Sequence, residues 1–239
     1  MKAPSPGRSA KRARPKQGDL PFRQHGGARP GAGRKPTGDK SGVLHRERVE
    51  LTKHQPTHIT LKLRSGLRPL RRPAERTALL AVFAIGCDRG GFRLVHFAIQ
   101  NDHLHLIAEA TDRAAMRSGM QGLSIRVARA LNKLWQRRGK VFADRYHERA
   151  LSTPREVRNA LVYVLANSRH HAANGRMVRN EQAIDIFSSA PWFDGFREAF
   201  TVRGIDAIER PTADAKSWLL QKGWRRHGLL SVHEAPAEH

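Results

Sequence analysis

The chain has 239 residues, enough for one large domain or one mid-sized domain with tails, and its 44 Lys and Arg against 21 Asp and Glu leave a formal charge of +23. Self-repulsion at that charge opposes compaction, so an anionic partner is implied, nucleic acid foremost. A single cysteine, Cys87, excludes a disulfide framework and a cysteine zinc cluster; the absence of any ~18-residue apolar run and of an apolar N-terminal leader leaves a soluble, cytoplasmic protein with no membrane partner as the expectation.

Residues 1–50 read as a disordered basic arm, rich in Gly, Pro, Lys and Arg and too poor in large apolar side chains to bury a core. Within it, Gly26 to Pro36 carries Arg29, Arg34 and Lys35 on extended Gly/Pro backbone and resembles an AT-hook-like minor-groove element. A solvated tail attracted to phosphate without sequence preference accounts for the same residues.

Folded structure is expected from Thr57. His58 to Arg64 alternates, with Ile59, Leu61 and Leu63 on one face and Thr60, Lys62 and Arg64 on the other, the pattern of a half-buried strand. After Pro69 and Pro73, the residues Leu79, Leu80, Phe83, Ala84 and Cys87 keep helical spacing, and Gly90-Gly91 is expected to end that helix. Arg93–Ile99 and His103–Glu109 read as a strand pair broken at Asn101-Asp102.

A long helix follows, its apolar stripe formed by Met116, Met120, Leu123, Val127, Leu131 and Leu134. Arg113, Arg117, Arg126 and Arg129 line its other face and suit a nucleic-acid backbone, or equally a solvated helix surface. Gly139 is expected to close it, with Lys140–Leu151 extended. The next helix start is marked by Thr153 as N-cap, Pro154 at the first position and Glu156 completing a capping box, and the helix is expected to reach about Ala172. This order gives an α+β plan, a ferredoxin-like antiparallel sheet with helices packed on it. Residues 176–239 read as a C-terminal extension of short amphipathic helices, with Trp192, Trp218 and Trp224 docking it onto the core or, for Trp224 beside its arginines, stacking on a base.

His103-Leu104-His105 places two imidazoles on one strand face, because side chains alternate with period two. Two readings fit: half of a metal site, or two sheet histidines bonded to neighbours. With 13 histidines in the chain such a pair is expected ~0.7 times by chance. Glu109 shares the face but lies about 13 Å beyond His105, too far for the same ion. On the capped helix Tyr163 sits roughly 130° from the apolar stripe, and Asn167 neighbours it one turn on. That phenol is either a surface ring or a group presented to a phosphate. Tyr146, sharing a strand face with Phe142, reads as structural.

Three ordered motifs, Asn101-Asp-His-Leu-His-Leu-Ile107, Gly139-Lys-Val-Phe-Ala-Asp-Arg-Tyr-His147 and Tyr163-Val-Leu-Ala-Asn167, resemble the REP-associated tyrosine transposases, HUH single-strand transposases of bacterial insertion sequences. The resemblance covers Thr57 to Gly175, so residues 55–175 are expected to be the catalytic domain. Ser168 stands where the family usually has proline, a departure that leaves the chemistry untouched. The resemblance implies Tyr163 as nucleophile, and His103, His105 and Asn167 as ligands of one Mg²⁺ or Mn²⁺; ligand softness alone would have suggested zinc. It implies cleavage and rejoining of single-stranded or hairpin DNA through a 5′-phosphotyrosine, in bacterial cytoplasm on nucleoid DNA, by a monomer or by homodimers that exchange the tyrosine helix. The rival functions are a non-catalytic nucleic-acid-binding module of the same fold and a metal nuclease in which water attacks.

Overall fold

The computed structural model describes residues 52, 55–166, 184–202, 208–234 and 236. The basic arm, with Arg29, Arg34 and Lys35, lies outside them, as does Asn167. The element order is β1 (Thr57–Lys62), α1 (Pro73–Gly86), β2 (Asp88–Arg89), β3 (Phe92–Ile99), β4 (His103–Ala110), α2 (Arg113–Leu134), β5 (His147–Ala150) and α3 (Pro154–Leu165), followed by the short α4 (Trp218–Gln221). The strands form one antiparallel sheet in the order β2-β3-β4-β1-β5. This is the α+β plan the sequence predicts.

Alternation along the strands divides the molecule into two apolar layers. Ile59, Leu61, Leu104 and Leu106 face α1 and α2, packing with Phe83, Phe97 and the Met116–Leu131 stripe. Ile107, Val95 and Ala98 face the other way, onto Val157, Leu161 and Val164 of α3 and onto Leu220 and Trp224. A bulge between Leu94 and His96 inserts one extra residue against β4, so Val95 and His96 both reach the α3 side.

Several boundaries differ from expectation. Gly90-Gly91 does not end α1, which stops at Gly86; with φ of 55° and 79° these glycines form the tight β2–β3 turn instead. The helix α2 ends at Leu134, where Gln136 takes positive φ, before Gly139 is reached. Of Lys140–Leu151 only His147–Ala150 is regular strand, with Phe142 bridging singly to Leu63. The α3 capping box is present, but the helix closes at Leu165 rather than near Ala172. In the C-terminal extension Trp224 is an anchor, enclosed and donating through Nε1 to Leu220 O at 3.0 Å. Trp218 is not: 46% exposed, it lies under the Arg226 guanidinium.

Candidate active site

Because Leu104 and Leu106 are drawn into the first core, His103 and His105 emerge on the α3 face of β4. Their Nε2 atoms stand 2.9 Å apart. Each ring is fixed from behind. Asp102 Oδ1 lies 2.7 Å from His103 Nδ1, and Thr60 Oγ1 lies 3.2 Å from His105 Nδ1. The β1–β4 register makes this possible, setting Thr60 directly opposite His105 and Lys62 opposite His103. Partial burial would raise the Asp102 carboxyl, but the hydrogen bond and charge of His103, with the Lys62 ammonium, outweigh it and bring the group below its ordinary value.

Engaging both Nδ1 atoms leaves both Nε2 atoms turned to a common point, as happens where hydrogen bonds to the far ring nitrogen orient metal-binding imidazoles. Adjacent ligands of an octahedral ion with bonds of ~2.1 Å lie ~3.0 Å apart, which the 2.9 Å separation matches. The pair therefore fits a divalent cation as two of its ligands. Among the described residues no third His, Cys, Asp or Glu completes a cluster.

The third participant comes from α3. Thr153 Oγ1 accepts the Glu156 N–H and the Glu156 carboxylate accepts the N–H of Thr153, so the helix start is fixed. The stripe Val157, Ala160, Leu161 and Val164 packs down, and Tyr163, off that stripe, is left at the side facing β1 and β4. Its Oη lies 3.4 Å from His105 Nε2, with the two rings 4.9 Å apart and nearly perpendicular. All three groups belong to one chain.

Residues 59–165 match the family model of the IS200-like transposases. Over this stretch the chain is similar to that family. The matched transposase segment opens within β1 and closes at the end of α3, and so contains both histidines and Tyr163. Two solved structures are similar at lower identity: a REP-associated tyrosine transposase bound to a REP hairpin (15% identity, 62% of this chain and 82% of that one, TM-score 0.48), and a candidate transposase from Deinococcus radiodurans (14% identity, 56% and 100%, TM-score 0.36). No curated protein matches the chain.

The arginine stripe of α2 does not join this site. The helix packs on the opposite face of the sheet from the histidine pair. Arg113 is ion-paired with Glu148 of β5, and Arg126 lies over Gly86 at the C-terminal end of α1, where a cation is favoured by the helix dipole. Arg117 and Arg129 are exposed.

The sequence reading missed two residues that the register brings to the histidines, Thr60 and His58. His58 stacks on His105 with centroids 5.3 Å apart and meets Tyr163 edge-on at 5.6 Å. Burial, then the nearby Arg149 charge, pushes its pKa down to about 4, so it is neutral at physiological pH. Strand alternation already put Thr60 on the polar face of β1; which residue of β4 it would meet depends on a pairing across the intervening helix and hairpin.

Proposed function

We propose that this domain cleaves and rejoins single-stranded DNA at hairpin-forming repeats, with Tyr163 as the nucleophile. The observation that supports it most is the Tyr163 oxygen lying 3.4 Å from His105 Nε2, itself 2.9 Å from His103 Nε2. Tyr163 Oη attacks the scissile phosphorus: an O–P bond forms, the bond to the 3′ oxygen breaks, and the products are a 5′-phosphotyrosine and a free 3′-hydroxyl. The proton lost by the phenol is balanced by the one the 3′ oxygen gains. Attack on the phosphotyrosine by the 3′-hydroxyl of another strand reverses the step, so rejoining needs no nucleotide cofactor.

His103 and His105, with Asn167 as third ligand, would hold one Mg²⁺ or Mn²⁺, which when bound would supply polarisation of the phosphate and neutralisation of the charge developing on it. Thr60 and Asp102 hold the two imidazoles in their ligating orientation. Lys62, opposite His103 and exposed, neutralises backbone phosphate at the mouth of the site. Arg117, Arg129 and the basic arm with Arg29, Arg34 and Lys35 bind DNA beyond the cleaved bond. Because Tyr163 meets the histidines of its own chain, the reaction runs in cis. The setting is the cytoplasm, where nucleoid DNA is the substrate.

The test is incubation of end-labelled single-stranded hairpin DNA with the protein and Mn²⁺, followed by denaturing electrophoresis. A denaturant-resistant protein–DNA adduct is expected, lost in Tyr163→Phe with DNA affinity unchanged within about twofold, because only the nucleophilic oxygen is removed. Cleavage without an adduct would replace this reading with a water-using nuclease, and binding without cleavage with a DNA-binding module.

A further inference from the structure

His58 occupies the same sheet face as Thr60, opposite Ile107 on β4 and Arg149 on β5. Its imidazole is packed against both His105 and Tyr163. Its Nε2 is enclosed by protein and has no hydrogen-bond partner among the described residues. An enclosed polar atom without a partner destabilises a fold relative to an apolar ring of the same shape, and such atoms in native proteins call for an explanation.

The explanation lies in a competition for one nitrogen. His105 Nε2 is the atom that Tyr163 Oη approaches at 3.4 Å, that His103 Nε2 meets at 2.9 Å, and that a bound cation would take. Its Nδ1 is already engaged with Thr60. An imidazole nitrogen offers a single lone pair or a single N–H, so loading the histidine pair displaces the phenol. The polar atom left over beside the same two rings is His58 Nε2.

We propose that His58 is a positioning residue, the partner to which Tyr163 Oη transfers its hydrogen bond when a cation occupies His103 and His105. The inference rests on the functional reading above, which assigns Tyr163 and the histidine pair their roles. His58 then keeps the phenolic oxygen beside the loaded pair instead of releasing it to solvent. Apo active sites commonly hold such bonds long or unmade, to be formed only on loading. The partnerless nitrogen is thus retained at the expense of stability, as at other functional sites.

The chain has only two tyrosines, Tyr146 and Tyr163, so full-length protein labelled with ¹³C at tyrosine Cζ gives two resonances, and Mg²⁺ alone serves as the probe. In His58→Phe, Mg²⁺ is expected to move the Tyr163 signal further than in the wild type, because the displaced phenol finds no new partner, while Tyr146 stays in place in both. An identical Mg²⁺ response in the two proteins, or none in either, overturns the proposal.

The companion measurements separate positioning from structural support. His58→Phe is expected to melt a few degrees higher, the enclosed nitrogen being gone, yet to form adduct about tenfold more slowly at saturating DNA. His58→Gln, which returns a polar group near Nε2, is expected to recover part of the rate. A wild-type adduct rate in His58→Phe overturns the proposal. If the wild type forms no adduct while the resonance difference persists, the transposase chemistry fails and the hydrogen-bond exchange stands.

Discussion

The buried carboxylate of Glu109 on β4 accepts the backbone N–H of Ser217, 108 residues further along the chain, at 2.9 Å. It also accepts the Lys216 N–H at 2.8 Å and the Arg93 guanidinium at 3.2 Å. The strand that carries the histidine pair is therefore tied at its far end to the segment that leads into α4. Ser217 in turn caps that helix through Leu220 N–H, and α4 and the 3-10 turn after it (Gly223–His227) deliver Leu220 and Trp224 to the layer beneath α3.

Glu109→Ala should accordingly unfold at lower urea than the wild type. It leaves Arg93, 8% exposed, without its counter-charge and strips two backbone donors of their acceptor; truncating one partner of a buried pair costs about 3–5 kcal/mol. Chemical denaturation followed by tryptophan fluorescence measures it, and a loss below ~1 kcal/mol would mean the latch is dispensable.

Thr60 meets the site through His105 Nδ1. Thr60→Val keeps the shape and removes the oxygen, so the imidazole loses its orienting partner. Mn²⁺ affinity, read by electron paramagnetic resonance on the protein without DNA, is expected to fall about tenfold, the lower end of what removing a ligand's hydrogen-bond partner costs, with thermal stability little changed. Unaltered Mn²⁺ binding would remove Thr60 from the site.

What could be read from one sequence, and what could not, divides along the range of the interactions. The His-x-His pair, the Thr153/Glu156 capping box and the off-stripe placement of Tyr163 rest on contacts within a strand or a helical turn, and these fold as their spacing dictates. Thr60 and His58 meet His105 only because β1 pairs with β4 in one particular register, a choice made by the whole core. Gly90-Gly91 satisfies both a helix stop and a hairpin turn, and only the pairing of Asp88 with Arg93 decides between them. Trp218 carries the apolar area of an anchor, yet the short α4 turns it outward, and the 3-10 turn that follows puts Trp224 inward instead.

His96 gives the fold a pH dependence. Burial first, then the Arg210 charge, pushes its pKa down to about 3, while its Nδ1 meets Ser189 Oγ. The unfolded chain takes up that proton near pH 6.5 and the folded chain does not until about pH 3, so this contribution is complete above pH 6.5 and is lost as pH falls toward 3. His96→Asn keeps a polar atom near Nδ1 and removes the titration. The stability advantage of the wild type over His96→Asn should shrink by about 2 kcal/mol between pH 7 and pH 5. Urea unfolding at the two pH values tests this, and an advantage independent of pH would contradict it.

The proposed catalysis in cis makes a separate prediction. Mixing Tyr163→Phe with the double variant His103→Ala/His105→Ala should give no adduct at any ratio, because neither chain holds both the tyrosine and the histidine pair. Recovery of adduct on mixing would mean that α3 serves a neighbouring chain.

The most direct test of the central claim is to trap the adduct with single-stranded hairpin DNA and Mn²⁺, digest protein and DNA, and locate the nucleotide-bearing residue by mass spectrometry. The phosphate is expected on Tyr163 alone. Attachment at Tyr146 or at a serine, or cleaved DNA with no modified peptide, would contradict the assignment.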